Sequence, residues 1–181
     1  MLLTAVLLLA FGYCVILPRV LPLKYQNLVE KYAAIYGLDK SLVNAVIFCE
    51  SGFEPDVVSA AGAVGLMQIT PETGWWAAAR LGLDAEKIDL TVPEENMRIG
   101  CWYLHWLMEK FGGVTETALA GYNAGQGKVE KWLMDMEMSI DGITLDDIPY
   151  EETKGYVRKV LLMERLYYYL YQMPFERIGT I

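Results

Sequence analysis

A chain of 181 residues with 15 basic and 23 acidic side chains carries a formal net charge of −8. That balance excludes a nucleic-acid partner, which needs a basic footprint. The length suits one domain plus an appendage and is ample for a real core, and the 54% hydrophobic content is high because of the N-terminus.

Residues 1–17 are almost wholly apolar, interrupted only by Thr4 and Gly12. That is the lower edge for spanning a bilayer, and residues 20–23 extend it if Arg19 snorkels. A cleaved signal peptide is the competing reading. It would want a basic start and a small-x-small exit, and neither is evident. Cys14 follows bulky Tyr13, which does not suit lipid attachment. Residues 1–23 are therefore expected to be an uncleaved membrane anchor, with residues 24–181 as the working domain. Arg19 and Lys24 follow the apolar run and no basic residue precedes it, so charge bias alone places the downstream end inside.

The soluble part reads as helices. Residues 24–36 place Tyr25, Leu28, Val29, Tyr32, Ala33 and Tyr36 on one stripe. Gly37 ends that helix and Asp39 can cap the next. There, apolar residues at 42, 43, 46 and 47 keep a helical spacing and lead to Glu50, near the buried face. A carboxyl in that position loses water, its pKa rises, and it can stay protonated as a general acid. The plainer alternative is a surface glutamate closing a core helix.

After a turn-rich segment, Thr70-Pro71-Glu72 supplies an N-cap followed by proline at the first helical position. A longer helix is expected from near Pro93 to about Phe111, stopped by Gly112-Gly113. Thr115 opens a short one that breaks at Asn123-Ala124-Gly125. Residues 135–147 are acidic and irregular, a surface loop. The last helix, about 151–172, carries Tyr156, Val160, Met163, Leu166, Tyr167 and Leu170. No run alternates long enough to promise a substantial sheet, so the fold class is mainly α.

Other chemistry is thinly supported. His105 is the only histidine and is better read as structural or surface. Cys14, Cys49 and Cys101 lack metal-ligand spacing, and a Cys49–Cys101 disulfide is a minority alternative. Gly125-Gln126-Gly127-Lys128 lacks the spacing and preceding strand of a phosphate loop. No metal and no cofactor is implied. Trp75, Trp76, Trp102, Trp106 and Trp132 recur within expected helices and read mostly as core.

One stretch and three further blocks change the weighing. Glu50-Ser51-x-Phe53-x-Pro55-x-x-x-Ser59 is followed by Gly62-Ala63-x-Gly65-Leu66-Met67-Gln68. Then come Asn96-x-x-x-Gly100-x-x-Tyr103-Leu104, Ala120-Gly121-Tyr122-Asn123-Ala124-Gly125, and Ile148-Pro149-x-x-Glu152-Thr153-x-x-Tyr156-Val157. In order and over roughly residues 25–170, they resemble the catalytic domain of the soluble lytic murein transglycosylases. These enzymes cleave bacterial peptidoglycan on a lysozyme-like fold related to goose-type lysozyme.

The resemblance implies a peptidoglycan lytic transglycosylase acting between N-acetylmuramic acid and N-acetylglucosamine. Glu50 matches the family's single catalytic acid. Ser59, Gln68, Tyr122 and Asn123 match positions lining the substrate groove. Met67 packs either beneath a sugar or in the core. Glu152 matches the glutamate of the Pro-x-x-Glu-Thr block, where a helix start suits a carboxylate. A muramidase using water at the same bond, or a non-catalytic wall-binding scaffold, are the rival readings. The glycan strand as partner places the domain outside the cytoplasm, tethered by a single membrane pass, against the bias of Arg19 and Lys24.

Overall fold

The computed structural model describes residues 20–172, so the expected anchor lies, up to residue 19, outside the described residues. Among the described residues no helix is long and apolar enough to cross a membrane. The order is α1 (Gln26–Tyr36), α2 (Lys40–Ser51), α3 (Pro71–Arg80), a 3-10 turn (Ala85–Lys87), α4 (Pro93–Lys110), α5 (Thr115–Ala124), α6 (Gln126–Leu133) and α7 (Glu151–Gln172). Extended backbone amounts to two isolated antiparallel bridges, Val58 with Val64 and Val64 with Ile69. The mainly helical expectation holds.

Local chemistry sets the boundaries. Tyr25 takes a left-handed conformation at φ 57°, so α1 starts two residues later than its apolar stripe suggests. Gly37 closes α1 at φ 63°. The Asp39 carboxylate accepts from the Ser41 N–H at 2.6 Å, satisfying one of the free donors that open α2. Thr70 accepts from the Thr73 N–H at 3.3 Å, with Pro71 at the first helical position of α3. Helix α6 was not anticipated. Gly125 at φ 90° turns the chain sharply between α5 and α6, and its neighbouring glycine hides a good amphipathic octapeptide from a propensity reading.

Helix α2 is the axis of the domain. Every residue from Ser41 to Ile47 is buried, as expected of a helix covered on all sides, and its main partner is α7. Helix α1 packs on α4, α4 on α5, and α5 on α7. Burying side chains such as Val43, Val46 and Ile47 stabilises the fold by about 1.5–3 kcal/mol each. Buried Asn44 donates to the Lys40 carbonyl at 2.9 Å and accepts from Gln26 at 3.0 Å, and it also meets the Tyr171 hydroxyl. Tyr167, fully buried, donates to the Pro22 carbonyl at 3.1 Å and sets its ring edge-on to Phe48 and Phe53.

Two apolar residues of these helices face water. Trp75 is 60% exposed, whereas Trp76 lies against Trp102 and Trp106 at ring separations of 5.1 and 4.8 Å. Adjacent helical residues point about 100° apart, so one face of α3 can cover only one of the two indoles. Leu166, one of the apolar residues that α7 carries, is exposed. His105 stacks on Tyr36 at 6.2 Å, a structural place. Cys49 and Cys101 are free thiols, so the disulfide alternative falls.

Candidate active site

The last turn of α2 delivers Glu50, and the chain then turns away at once. Gly52, left-handed at φ 60°, caps the helix by donating to the Phe48 carbonyl. The Ser51 hydroxyl donates to the Leu66 carbonyl at 2.8 Å and accepts from the Phe53 N–H at 3.2 Å. This pins the returning loop to the helix end. Phe53 is held at φ 68° with its side chain fully buried, a costly backbone for a bulky residue. Burial of its ring offsets that cost.

The loop comes back through a tight knot. The Ser59 hydroxyl accepts from the Ala63 N–H at 3.0 Å, and Val64 and Ile69 exchange backbone bonds at 2.9 and 3.0 Å. Gly65 sits at φ 79°, and a Cβ there would lie 2.3 Å from Asn96 Nδ2 and 2.4 Å from the Leu90 carbonyl oxygen. Only glycine fits. Buried Asn96 accepts from the Met67 N–H at 2.8 Å and donates to the carbonyls of Val64 and Leu90, each at 2.8 Å. Met67 is fully buried, and a Cβ on Gly100 of α4 would stand 2.5 Å from its sulfur. Its side chain therefore fills the core and does not underlie a sugar.

Gln68 and the α5–α6 junction form a cleft on the far side of this knot. Gln68, Thr70, Thr73, Tyr103, Tyr122 and Asn123 line about 220 Å³ of it. Gln68 is left-handed at φ 48°, and its side-chain amide donates to the carbonyls of Val57 and Gly65, both at 3.0 Å. The Tyr122 hydroxyl is buried and donates to the Met67 carbonyl at 2.8 Å. Its partly exposed ring borders the cleft 5.4 Å from that of Tyr103. Three of the expected groove residues, Gln68, Tyr122 and Asn123, thus meet around one space.

Glu50 does not line that cleft, but Tyr122 lies between the two: burial holds its pKa well above the ordinary value, and the Glu50 charge adds to the rise. Burial pushes the Glu50 carboxyl from its ordinary 4.5 up to about 7, and the Tyr156 hydroxyl and the Lys159 ammonium pull it down only in part. Tyr156 is buried and its hydroxyl has no hydrogen bond of full geometry, although it stands close enough to Glu50 to act on it. Proximity without alignment leaves that hydroxyl short of a partner. A carboxyl near 7 is protonated for about half of its population at neutral pH, the state a general acid needs. Burial likewise pushes the neighbouring Cys49 thiol up to about 11, which leaves it unreactive.

The other expected residues stand apart from this space. Ser59 organises the loop, and Glu152 is exposed in the first turn of α7. Tyr156 and Lys159 were missed as site residues, although Tyr156 lies inside a quoted block. An aromatic residue at helical spacing reads as core, and only the packing of α7 on α2 brings it to Glu50. Among the described residues no group of three or more His, Cys, Asp or Glu side chains is placed to hold a metal.

Comparison with known proteins converges on one family. Residues 27–139 match the family model described as the transglycosylase SLT domain. The chain is 35% identical over 151 residues to the soluble lytic murein transglycosylase of Escherichia coli strain K12, covering 82% of this chain and 23% of that protein. It is 36% identical over 116 residues to the membrane-bound lytic murein transglycosylase C of Histophilus somni strain 2336, covering 59% of this chain and 32% of that one. Among solved structures, an inactive mutant of the lytic transglycosylase Slt from Pseudomonas aeruginosa superposes with a TM-score of 0.75 at 32% identity, over 87% of this chain and 26% of that one. A complex of the 70-kDa soluble lytic transglycosylase with bulgecin A gives 0.75 at 32% identity, over 85% of this chain and 25% of that one. The chain spans about a quarter of the length of the soluble relatives.

Proposed function

Because this chain belongs to the transglycosylase SLT family, we propose that it is a peptidoglycan lytic transglycosylase, cutting the β-1,4 bond between N-acetylmuramic acid and N-acetylglucosamine. The observation that carries this is Glu50, a half-buried carboxyl whose desolvation holds it near 7 at the end of the core helix. Glu50 protonates the leaving glycosidic oxygen. The muramyl acetamido oxygen assists at the anomeric carbon, and the same glutamate, now ionised, takes the proton of the muramyl 6-hydroxyl. The 1,6-anhydro ring closes without water. Gln68, Tyr122 and Asn123 bind the sugars along the cleft.

The groups that act on Glu50 support this route over hydrolysis. Beyond burial they are the Tyr156 hydroxyl, through hydrogen bonding, and the Lys159 ammonium, and neither is a carboxylate. A nearby carboxylate would raise the pKa by like-charge repulsion. Hydrolysis needs one, at about 5–5.5 Å for a nucleophile or about 6.5–9.5 Å for a base on water. Residues 1–23 are read as the anchor of a domain lying outside the cytoplasm, in keeping with the membrane-bound name of one relative.

Mass analysis of the soluble products of a sacculus digest tests the reading. The expected products carry 1,6-anhydromuramyl ends, one water lighter than reducing-end products. Reducing ends in the majority establish a muramidase, and no soluble product establishes a wall-binding scaffold.

A further inference from the structure

The outer face of α7 is apolar where it should be polar. Leu162, Leu166 and Tyr169 are 55%, 37% and 61% exposed, and their spacing of four and three residues lines them along one side of the helix. At 100° per residue that side lies opposite Val157, Val160 and Tyr167, which face the core. Arg158 and Arg165, both exposed, flank the stripe on one side, and Lys159 on the other turns its ammonium toward the Phe48 ring at 5.9 Å. None of the three cations is in an ion pair among the described residues.

The place of this stripe in the chain identifies its occupant. Tyr167 anchors the C-terminal half of α7 to the Pro22 carbonyl at 3.1 Å, and Val20 and Leu23 beside that point are exposed apolar residues. The chain therefore joins the domain at Pro22, against the inner side of the helix that carries the stripe, and the apolar residues 1–17 precede that point in sequence. We propose that the Leu162–Leu166–Tyr169 face of α7 docks on the surface of the bilayer, and so orients the glycan cleft relative to the membrane. An apolar stripe bordered by cations is the pattern of an interfacial helix. Tyrosine favours the headgroup level, and arginine and lysine favour anionic lipid. The proposal rests on the anchor reading of residues 1–23.

The test uses the full chain in vesicles of phosphatidylcholine with phosphatidylglycerol. A polarity-sensitive fluorophore is attached to Leu162→Cys in a Cys14→Ala background, where Cys101 is buried and Cys49 unreactive. Flotation with the vesicles reports the anchor, and the emission of the label, with its quenching by nitroxide lipid, reports docking. Docking predicts a blue shift and lipid quenching in vesicles that are absent in detergent. Leu166→Glu with Tyr169→Glu abolishes both while flotation persists. A floating protein whose label stays in water overturns docking and leaves the anchor standing. A protein that does not float overturns both. A blue shift that persists in detergent and grows with protein concentration assigns the face to a second copy and overturns the proposal.

Discussion

Two polar side chains, Asn96 buried and Glu50 half-buried, flank the same loop and differ in how they are satisfied. Asn96 gives and receives three hydrogen bonds at 2.8 Å, while Glu50 is desolvated beside a tyrosine hydroxyl that itself has no full partner. The first arrangement is structural, because a fully paired buried amide fixes geometry without strain on its chemistry. The second is chemical, because a carboxyl taken out of water keeps its proton. Asn96 holds the loop that the Ser51 hydroxyl ties to the helix end beside Glu50.

Removing the acid should have the largest effect. Glu50→Gln should lower the rate of sacculus digestion by about 10²–10⁴-fold while raising stability. The folded state holds the Glu50 proton up to about pH 7, whereas an unfolded glutamate releases it near its ordinary 4.5. Between those values the folded state binds more protons, so wild-type stability falls as pH rises. Above pH 7 the accumulated cost is up to about 3 kcal/mol, and Gln does not bear it. Denaturant midpoints at pH 4 and pH 8 check this, with the advantage of Glu50→Gln seen only at the higher pH. An equal advantage at both would mean that Glu50 is not strained by burial.

Breaking the other half of the comparison should cost stability. Asn96→Ala removes the partner of the Met67 N–H and of the Leu90 carbonyl, while the Val64 carbonyl keeps the Ile69 N–H; two groups at 1–3 kcal/mol each give a loss of about 2–6 kcal/mol. Urea unfolding measures it. Glu50 should keep its raised pKa in the surviving folded fraction, since burial by α2 and α7 is its cause.

Tyr156→Phe sharpens the Glu50 side. The hydroxyl pulls the Glu50 pKa down, so its removal should move the alkaline limb of the pH–rate profile to higher pH. Activity at the optimum should fall by about fivefold, the worth of roughly 1 kcal/mol for one hydrogen bond. A limb that stays in place or moves to lower pH rules out contact between Tyr156 and Glu50 in the working enzyme.

Much of this was legible because local rules and packing agreed. Gly37, Asp39, Thr70 and Pro71 bound their helices as their side chains and backbone freedom require, and the apolar run before Glu50 foretold its desolvation. The paired roles of Asn96 and Tyr156 were not legible. Both stood inside quoted blocks, but their partners lie 29 residues away at Met67 and across the α2–α7 contact, and periodicity carries no information about contacts between elements. Met67 went to the core because Gly100 opens a socket for its sulfur, which only the docking of α4 on the loop reveals. Helix α6 escaped because Gly125 and Gly127 lower local propensity, and tertiary packing of Val129 overrides it.

The smallest effect is expected at Glu152. It matches the glutamate of a recognised block, so a sequence reading gives it near-equal standing with Glu50. Its surroundings do not. It is exposed in the first turn of α7, where a carboxylate stays in water and faces the free N–H groups of the helix start. A carboxylate at a helix N-terminus is worth about 0.3–1 kcal/mol to the helix, which corresponds to at most about fivefold if it were felt wholly in the rate. Glu152→Gln should therefore digest sacculi within about fivefold of the wild type and release the same anhydromuramyl products. The product assay is the sharper check. A hydrolytic enzyme using Glu152 would lose nearly all activity in this variant, and its wild type would yield reducing muramic acid ends. A folded Glu152→Gln protein as inactive as Glu50→Gln would sink the one-carboxylate mechanism, whatever the fate of the Asn96 junction.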